Sequence, residues 1–236
     1  MSEATAIRIL LAGGTGLVGG LLTRQLRQRG DIKLLSLVRT SHMRPDQPQK
    51  VPLDFRAVDF EALVADPAGV IAAMEPAPID VGICCLGTTL AKAGSQAAMW
   101  RIDHDYAVAA ARAAKAAGAR QFILMSSVGA GGSNFYLRMK GEVERDIAAL
   151  GFARCDMLRP SLLLGDRSER RPAERLWQIA APLLNPLLLG GLEKYRAIPA
   201  ETVATAINRL IGAAAPGLHV HEYRTLQAIS TAPAPL

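Results

Sequence analysis

Cysteine is scarce in this 236-residue chain, with only Cys84, Cys85 and Cys155 present. Three thiols, two of them adjacent, supply neither a disulfide framework nor the spaced ligand pairs of a zinc site. Cys84 and Cys85 lie in an apolar run and read as buried strand thiols, which imply no oxidising compartment. Aromatic residues make up only 5% of the chain, too few for base-stacking platforms. Lysine is sparse as well: six of the 27 basic residues are Lys and the rest Arg, and no basic run is longer than Arg170–Arg171. The net charge of +6 is therefore read as an Arg-rich composition with a pocket for a phosphorylated cofactor, and not as a nucleic-acid surface. Long hydrophobic runs are missing too. The longest uncharged stretch, Leu176 to Leu192, is interrupted by Pro182, Asn185 and Pro186 and falls short of a span of ~20 apolar residues. It reads as a buried or pocket-covering segment. Met1 to Ile7 shows no basic start followed by an apolar core, so no secretory signal is read there. The expectation is a soluble, cytoplasmic protein without membrane partners.

What is abundant is apolar residue, at 50% of the chain, with 20% charged. That is enough for a sizeable core and excludes a disordered chain. Continuous apolar strands are expected at Ile7–Ala12, Ile32–Val38, Ala57–Phe60, Val81–Leu86, Gln121–Met125 and Cys155–Leu158. Helical patterns are expected at Gly16–Arg29, Glu61–Ala65, Ser95–Ala117, Phe135–Leu150 and Glu201–Ile211. Apolar strands alternating with amphipathic helices specify a doubly wound α/β domain around a parallel sheet. The pattern changes after Pro160. Residues 1–160 are thus expected to form the Rossmann core, and residues 161–236 a small carboxyl-terminal substrate or lid region packed on the same domain. Ala232–Leu236 reads as a frayed tail.

The turn after the first strand is Gly13-Gly14-Thr15-Gly16-Leu17-Val18-Gly19. Gly14, Gly16 and Gly19 give one dinucleotide spacing; Gly13, Gly16 and Gly19 give the wider one. In either register, glycine lets the backbone approach a pyrophosphate at the start of the following helix. An acid is absent where the second strand ends: Arg39 stands there, followed by Thr40, Ser41 and His42. A guanidinium matches a 2′-phosphate in charge and fork geometry, so NADP(H) is expected over NAD(H). Asp59 and Phe60, at the end of the third strand, are candidates for the adenine edge.

Tyr136 and Lys140 are one turn apart on one helix face. A free tyrosine, with a pKa of about 10, is a poor acid–base group at neutral pH. A neighbouring ammonium and the positive nicotinamide ring favour its phenolate. Ser127, ending the strand before it, can offer a hydroxyl to a reacting carbonyl oxygen. Together they suit hydride transfer with proton transfer through Tyr136. His219 and His221 alternate on one strand face and read as structural. Met99, Trp100 and Tyr106, at helical spacing, read as core.

Gly13-x-x-Gly16-x-x-Gly19, Ser127 and Tyr136-x-x-x-Lys140 resemble the short-chain dehydrogenase/reductase superfamily of the extended or atypical kind. Cys84-Cys-Leu-Gly-Thr-Thr89, Lys92-Ala-Gly94, Asn134-Phe135-Tyr136, Lys140-Gly-Glu-Val-Glu144 and Arg159-Pro160 through Gly165-Asp166-Arg167 are similar to its Tat-interacting-protein-like branch. This resemblance covers about residues 7 to 210. It implies NADP(H) contacts at Thr15, Gly16, Leu17, Val18 and Arg39, at Leu86 and Gly87, at Tyr136 and Lys140, and at Leu163 and Arg171. Two departures stand out. Nine positions separate Ser127 from Tyr136, fewer than in typical members, and Asp103 stands where some extended members carry Asn. The expected activity is NADPH-dependent oxidoreduction of a small carbonyl, alcohol or sugar-like substrate. The alternative is a non-catalytic NADPH-binding sensor or scaffold with a protein partner. Both a monomer and a homodimer fit the Ala-rich helices.

Overall fold

A computed structural model describes residues 6–39, 54–74, 78–165, 185 and 188–232. Seven strands form one parallel sheet in the order β3-β2-β1-β4-β5-β6-β9: β1 Ile7–Ala12, β2 Ile32–Arg39, β3 Phe55–Val58, β4 Val81–Cys84, β5 Gln121–Met125, β6 Arg154–Leu158 and β9 Gly217–His221. A two-residue pair, β7 Leu163–Leu164 with β8 Ile198–Pro199, lies outside this sheet.

The apolar run of β1 explains the layering. Successive side chains on a strand point to opposite faces, and here both faces are covered. Leu10 and Ala12 belong to one buried cluster with Leu35, Leu37, Phe122 and the alanines of α6 (Tyr106–Ala116). Ile9 and Leu11 belong to a second cluster with Leu22 and Leu26 of α1 (Leu17–Leu26) and Val203 and Ile207 of α8 (Ala200–Leu210). Other helices are α2 Phe60–Ala65, α3 Pro67–Met74, α4 Leu90–Ala93, α5 Gln96–Trp100, α7 Phe135–Ala148 and α9 Tyr223–Thr231.

The expected doubly wound parallel sheet is what forms. Two details differ from the sequence reading, and a third extends it. The third strand stops at Val58 because the Asp59 carboxylate accepts the Glu61 N–H at 2.9 Å and starts α2, so Phe60 is helical. The single helix expected over Ser95–Ala117 is α5 and α6 joined by a π turn, Arg101–Asp105. The apolar run with His219 and His221 is β9, which pairs with β6 and completes the main sheet. Among the described residues no helix is long and apolar enough to cross a membrane.

Strand order reverses between β1 and β4, which lie side by side with β2 beyond β1 and β5 beyond β4. Loops leaving the carboxyl ends of β1 and β4 therefore diverge, and a crevice opens between them. The candidate site lies there.

Candidate functional site

A cleft of about 990 Å³ runs along this switch point. Its walls include Thr15 to Val18, Leu86 to Thr89, Asp103, Ser126, Ser127, Tyr136, Lys140 and Pro160 to Gly165. Ten of the residues named from sequence share one cleft: Thr15, Gly16, Leu17, Val18, Leu86, Gly87, Ser127, Tyr136, Lys140 and Leu163; Arg39, Asp59 and Phe60 are not among its lining residues. Arg171 lies outside the described residues.

The glycine loop is tightly packed in both registers. Gly13 has φ of +88°, and a Cβ there would come 2.6 Å from the Cys85 and Leu86 backbone. Gly16 is the N-cap of α1 and offers no side-chain cap. Gly19 lies directly beneath the turn, where a Cβ would be 2.1 Å from the Gly13 carbonyl oxygen. A Cβ at Gly14 would likewise come 2.4 Å from Ser36 Oγ, so close contacts hold Gly13, Gly14 and Gly19 alike to glycine. The first-turn N–H groups of α1 have no acceptor within the helix, and the positive end of its dipole faces the same place. A cradle that any side chain would fill, with uncapped donors above it, fits a dinucleotide pyrophosphate.

Arg39 ends β2, partly buried. It stands close enough to Tyr106 for its charge to act on that phenol, whose pKa is raised chiefly by burial and by its bond to Glu61. Tyr106 Oη donates to Glu61 at 2.6 Å, and Arg101 pairs with the same carboxylate. Sequence reading found no acid in this neighbourhood; the fold brings Glu61 in from α2. The Arg101 guanidinium and the Tyr106 hydroxyl hold the Glu61 carboxyl down at about 2. Arg101 is shared between this acid and Asp105, 2.8 Å away.

Phe60 departs from its expected role. Its side chain is 3% exposed and packs on Tyr106 with ring centroids 5.1 Å apart, because helix α2 turns it into the core. The adenine-edge expectation for its ring is corrected accordingly. Asp59, the cap of the same helix, remains at the end of the strand.

The Asn134 side chain caps α7 by accepting the Leu137 N–H at 2.8 Å. That cap places Tyr136 and Lys140 in the first two turns. The Lys140 ammonium lies 5.7 Å from the Tyr136 ring centroid and 3.0 Å from Asp103 Oδ1. Burial, the largest single effect, would push Lys140 down; Asp103 foremost, with Tyr136 and Cys84, together outweighs it, and the net direction is up. Asp103 Oδ2 accepts the Thr88 N–H at 2.7 Å. The sequence showed Asp103 only as a departure from Asn; its partnership with Lys140 was not read. A weak signal was available, since a lone acid within an Ala-rich helix facing the sheet needs a buried partner.

The short spacing from Ser127 to Tyr136 is taken up by a compact double turn. Gly129 and Gly131 have φ of +79° and +88°, and Gly131 N–H bonds back to Leu137 O at 2.7 Å. Ser127 Oγ has only a long 3.4 Å bond, to Val128 O. The neighbouring Ser126 Oγ is buried and has no partner among the described residues. Both serines face the cleft that Tyr136 lines.

The three cysteines are free. Burial pushes the Cys84 thiol up to about 11 and Cys155 up to about 12, and it raises Cys85 as well. Cys84 is the buried strand thiol read from sequence; Cys85 follows the end of β4, is only partly buried and lines the cleft. His221 Nε2 meets Asp156 at 2.9 Å in a buried group with Arg154 and Gln121. Among the described residues no group of three or more His, Cys, Asp or Glu could hold a metal ion.

A profile of a family described as NAD(P)H-binding matches residues 13–159. The chain is 34% identical to rat protein HTATIP2 over 210 residues, which is 86% of this chain and 81% of the rat protein. It is also 34% identical over 202 residues to the Aspergillus niger protein fmp52, mitochondrial, covering 84% of each. Among solved structures, a human epimerase family protein, SDR39U1, crystallised with NADPH, superposes with a TM-score of 0.62 at 17% identity, covering 92% of this chain and 74% of that one. This last likeness concerns the fold. The chain belongs to the NAD(P)H-binding Rossmann family, in the Tat-interacting-protein-like branch that holds HTATIP2 and the fmp52 proteins.

Proposed function

We propose that the protein is an NADP(H)-dependent oxidoreductase of short-chain type, acting on a small carbonyl, alcohol or sugar-like substrate with Tyr136 as the acid–base group. The observation that carries the reading is the shared cleft. Tyr136, Lys140 and two serine hydroxyls line it together with Thr15 to Val18 of the glycine turn.

The nicotinamide supplies or accepts the hydride when bound. Each of the chain's own groups has a separate task. The first turn of α1 and the glycine backbone bind phosphate. Arg39 selects the 2′-phosphate, since a guanidinium makes charge-assisted pairs there that a ribose hydroxyl cannot match. Lys140 holds a positive charge beside the Tyr136 ring and can donate to ribose hydroxyls. Tyr136 passes a proton to or from the substrate oxygen, and Ser127 or Ser126 donates a hydrogen bond to that oxygen. The substrate lies between the Gly129–Asn134 turn and the segment after Pro160. Three free thiols suit a reducing compartment, for which the cytoplasm is our reading; the mitochondrial name belongs to the fmp52 relatives.

A second reading, a non-catalytic NADPH sensor or scaffold, has one observation in its favour. Leu189, Leu192 and Tyr195 are 69%, 54% and 46% exposed, just ahead of cleft-lining Pro199 in the chain, and could meet a protein partner. Substitution of Tyr136 by Phe separates the two. NADPH binding survives in both, but a carbonyl panel that the wild-type protein reduces is left unreduced only under the enzyme reading. A wild-type protein that binds NADPH and reduces nothing supports the sensor.

A further inference from the structure

Lys140 is 3% exposed, and a lysine buried that deeply without a partner loses its proton several pH units early. The charged groups facing it come from three elements. Tyr136 comes from its own helix α7, the Cys84 thiol from β4 and Asp103 from the π turn. Cys84 is neutral across the physiological range, because burial raises it. Glu144, one turn further along α7, is already paired with Arg159 at 2.9 Å. Among the described residues, Asp103 is therefore the carboxylate that compensates Lys140, at 3.0 Å and itself 2% exposed.

Three further features mark this contact as a built device. Asp103 sits on the one π turn among the described residues, Arg101–Asp105. Such a turn inserts a residue and reorients side chains within a helix, and it is frequent at functional sites. The second Asp103 oxygen is committed to the Thr88 N–H at 2.7 Å, which fixes the rotamer of the carboxylate. Thr88, Asp103, Tyr136 and Lys140 all line the same cleft, so the pair borders the site rather than the deep core. An ion pair is rarely the best way to fill a core, since apolar side chains often do as well.

We propose that Asp103 is a positioning residue of the site: it keeps the buried Lys140 protonated, aims it at Tyr136, and ties both to the loop after β4. The role rests on the reading of Tyr136 and Lys140 as the reacting end, but its test does not depend on turnover. Without Asp103 the ammonium has no counter-charge and discharges into a neutral amine, which can neither support a tyrosine anion nor donate as strongly to ribose hydroxyls.

The test is a pH titration of cofactor-free protein carrying lysines labelled with 13C at Cε, with the Lys140 resonance assigned by its loss in Lys140→Arg. In the wild-type protein Lys140 is expected to stay protonated beyond the ordinary lysine value of about 10.4. In Asp103→Asn it should discharge at least about two pH units lower, and Asp103→Glu should restore the high value in part. In turnover, Asp103→Asn should lose activity above that lower midpoint while the wild type does not. A wild-type Lys140 that titrates at or below the ordinary value overturns the proposal, and needs no variant to fold. So does an Asp103→Asn protein whose Lys140 titrates as in the wild type. A confirmed titration in a protein that reduces no carbonyl would leave Asp103 its role and remove the oxidoreductase reading alone.

Discussion

Gly19 passes so close under Gly13 that a single added carbon on Gly19 would lie 2.1 Å from the Gly13 carbonyl oxygen. Helix α1 and the phosphate-facing turn are thereby locked into one piece. Gly19→Ala must push the turn aside, an overpacking cost of about 1–3 kcal/mol. The displaced backbone should weaken NADPH binding by about tenfold or more. Gly20→Ala is the control. Its Cβ meets nothing closer than 3.7 Å, so in mid-helix it should raise stability by about 0.5–1 kcal/mol. Thermal melts and NADPH titrations of the two variants check both outcomes.

Arg39 carries the choice of cofactor. Its removal in Arg39→Ala costs a charge-assisted contact to the 2′-phosphate, and NADPH affinity should fall by about ten- to a hundredfold. NADH binding should change little. Parallel titrations with both cofactors decide it; an equal loss for the two would mean that Arg39 acts on the fold and not on the phosphate.

Tyr136→Phe leaves α7 intact, because its cap is Asn134 and its buried face is Met139, Val143 and Ile147. NADPH binding should persist while turnover falls by about a hundredfold to ten-thousandfold. Steady-state rates on any substrate that the wild type reduces provide the check.

Asp156 predicts a pH dependence away from the site. Burial raises its pKa, yet hydrogen bonds from His221, Arg154 and Gln121 prevail and hold it below the ordinary value. A carboxyl depressed by folding contributes stability above its unfolded value of about 4, and that contribution is lost as pH falls through the lower folded value. Asp156→Asn should cost about 3 kcal/mol at pH 7, because Arg154 is left buried without its counter-charge. The gap between wild type and variant should narrow in denaturant melts taken at successively lower pH below about 4. A gap that holds constant down to pH 3 would contradict the role given to this carboxylate.

The fold was largely legible because its signals are local. Ile7–Ala12, Gln121–Met125 and the glycine turn each declare themselves within a few residues, and the strand–turn–helix context confirms them. What was not legible depends on contacts distant in sequence. The π turn at Arg101–Asp105 hides inside a uniform alanine-rich helix pattern, and only its buried partner, Lys140, 37 positions on, reveals why it is there. Phe60 looked like the end of a strand, because a capping aspartate and a strand-ending aspartate have the same letter. Gly217–His221 alternates exposed Leu218 and Val220 with the histidines. Nothing within those five residues says that they pair with β6, whose first residue lies more than sixty positions back. Of the residues in and around the candidate site, the glycines and the Tyr136–Lys140 pair were readable from spacing. Glu61 and Asp103 required the fold.

The central claim, a cleft built to hold NADPH, is tested most directly by calorimetric titration of purified, cofactor-stripped protein with NADPH and then with NADH. The account expects saturable NADPH binding, with NADH weaker by at least about tenfold. Failure of the protein to bind either dinucleotide would contradict it.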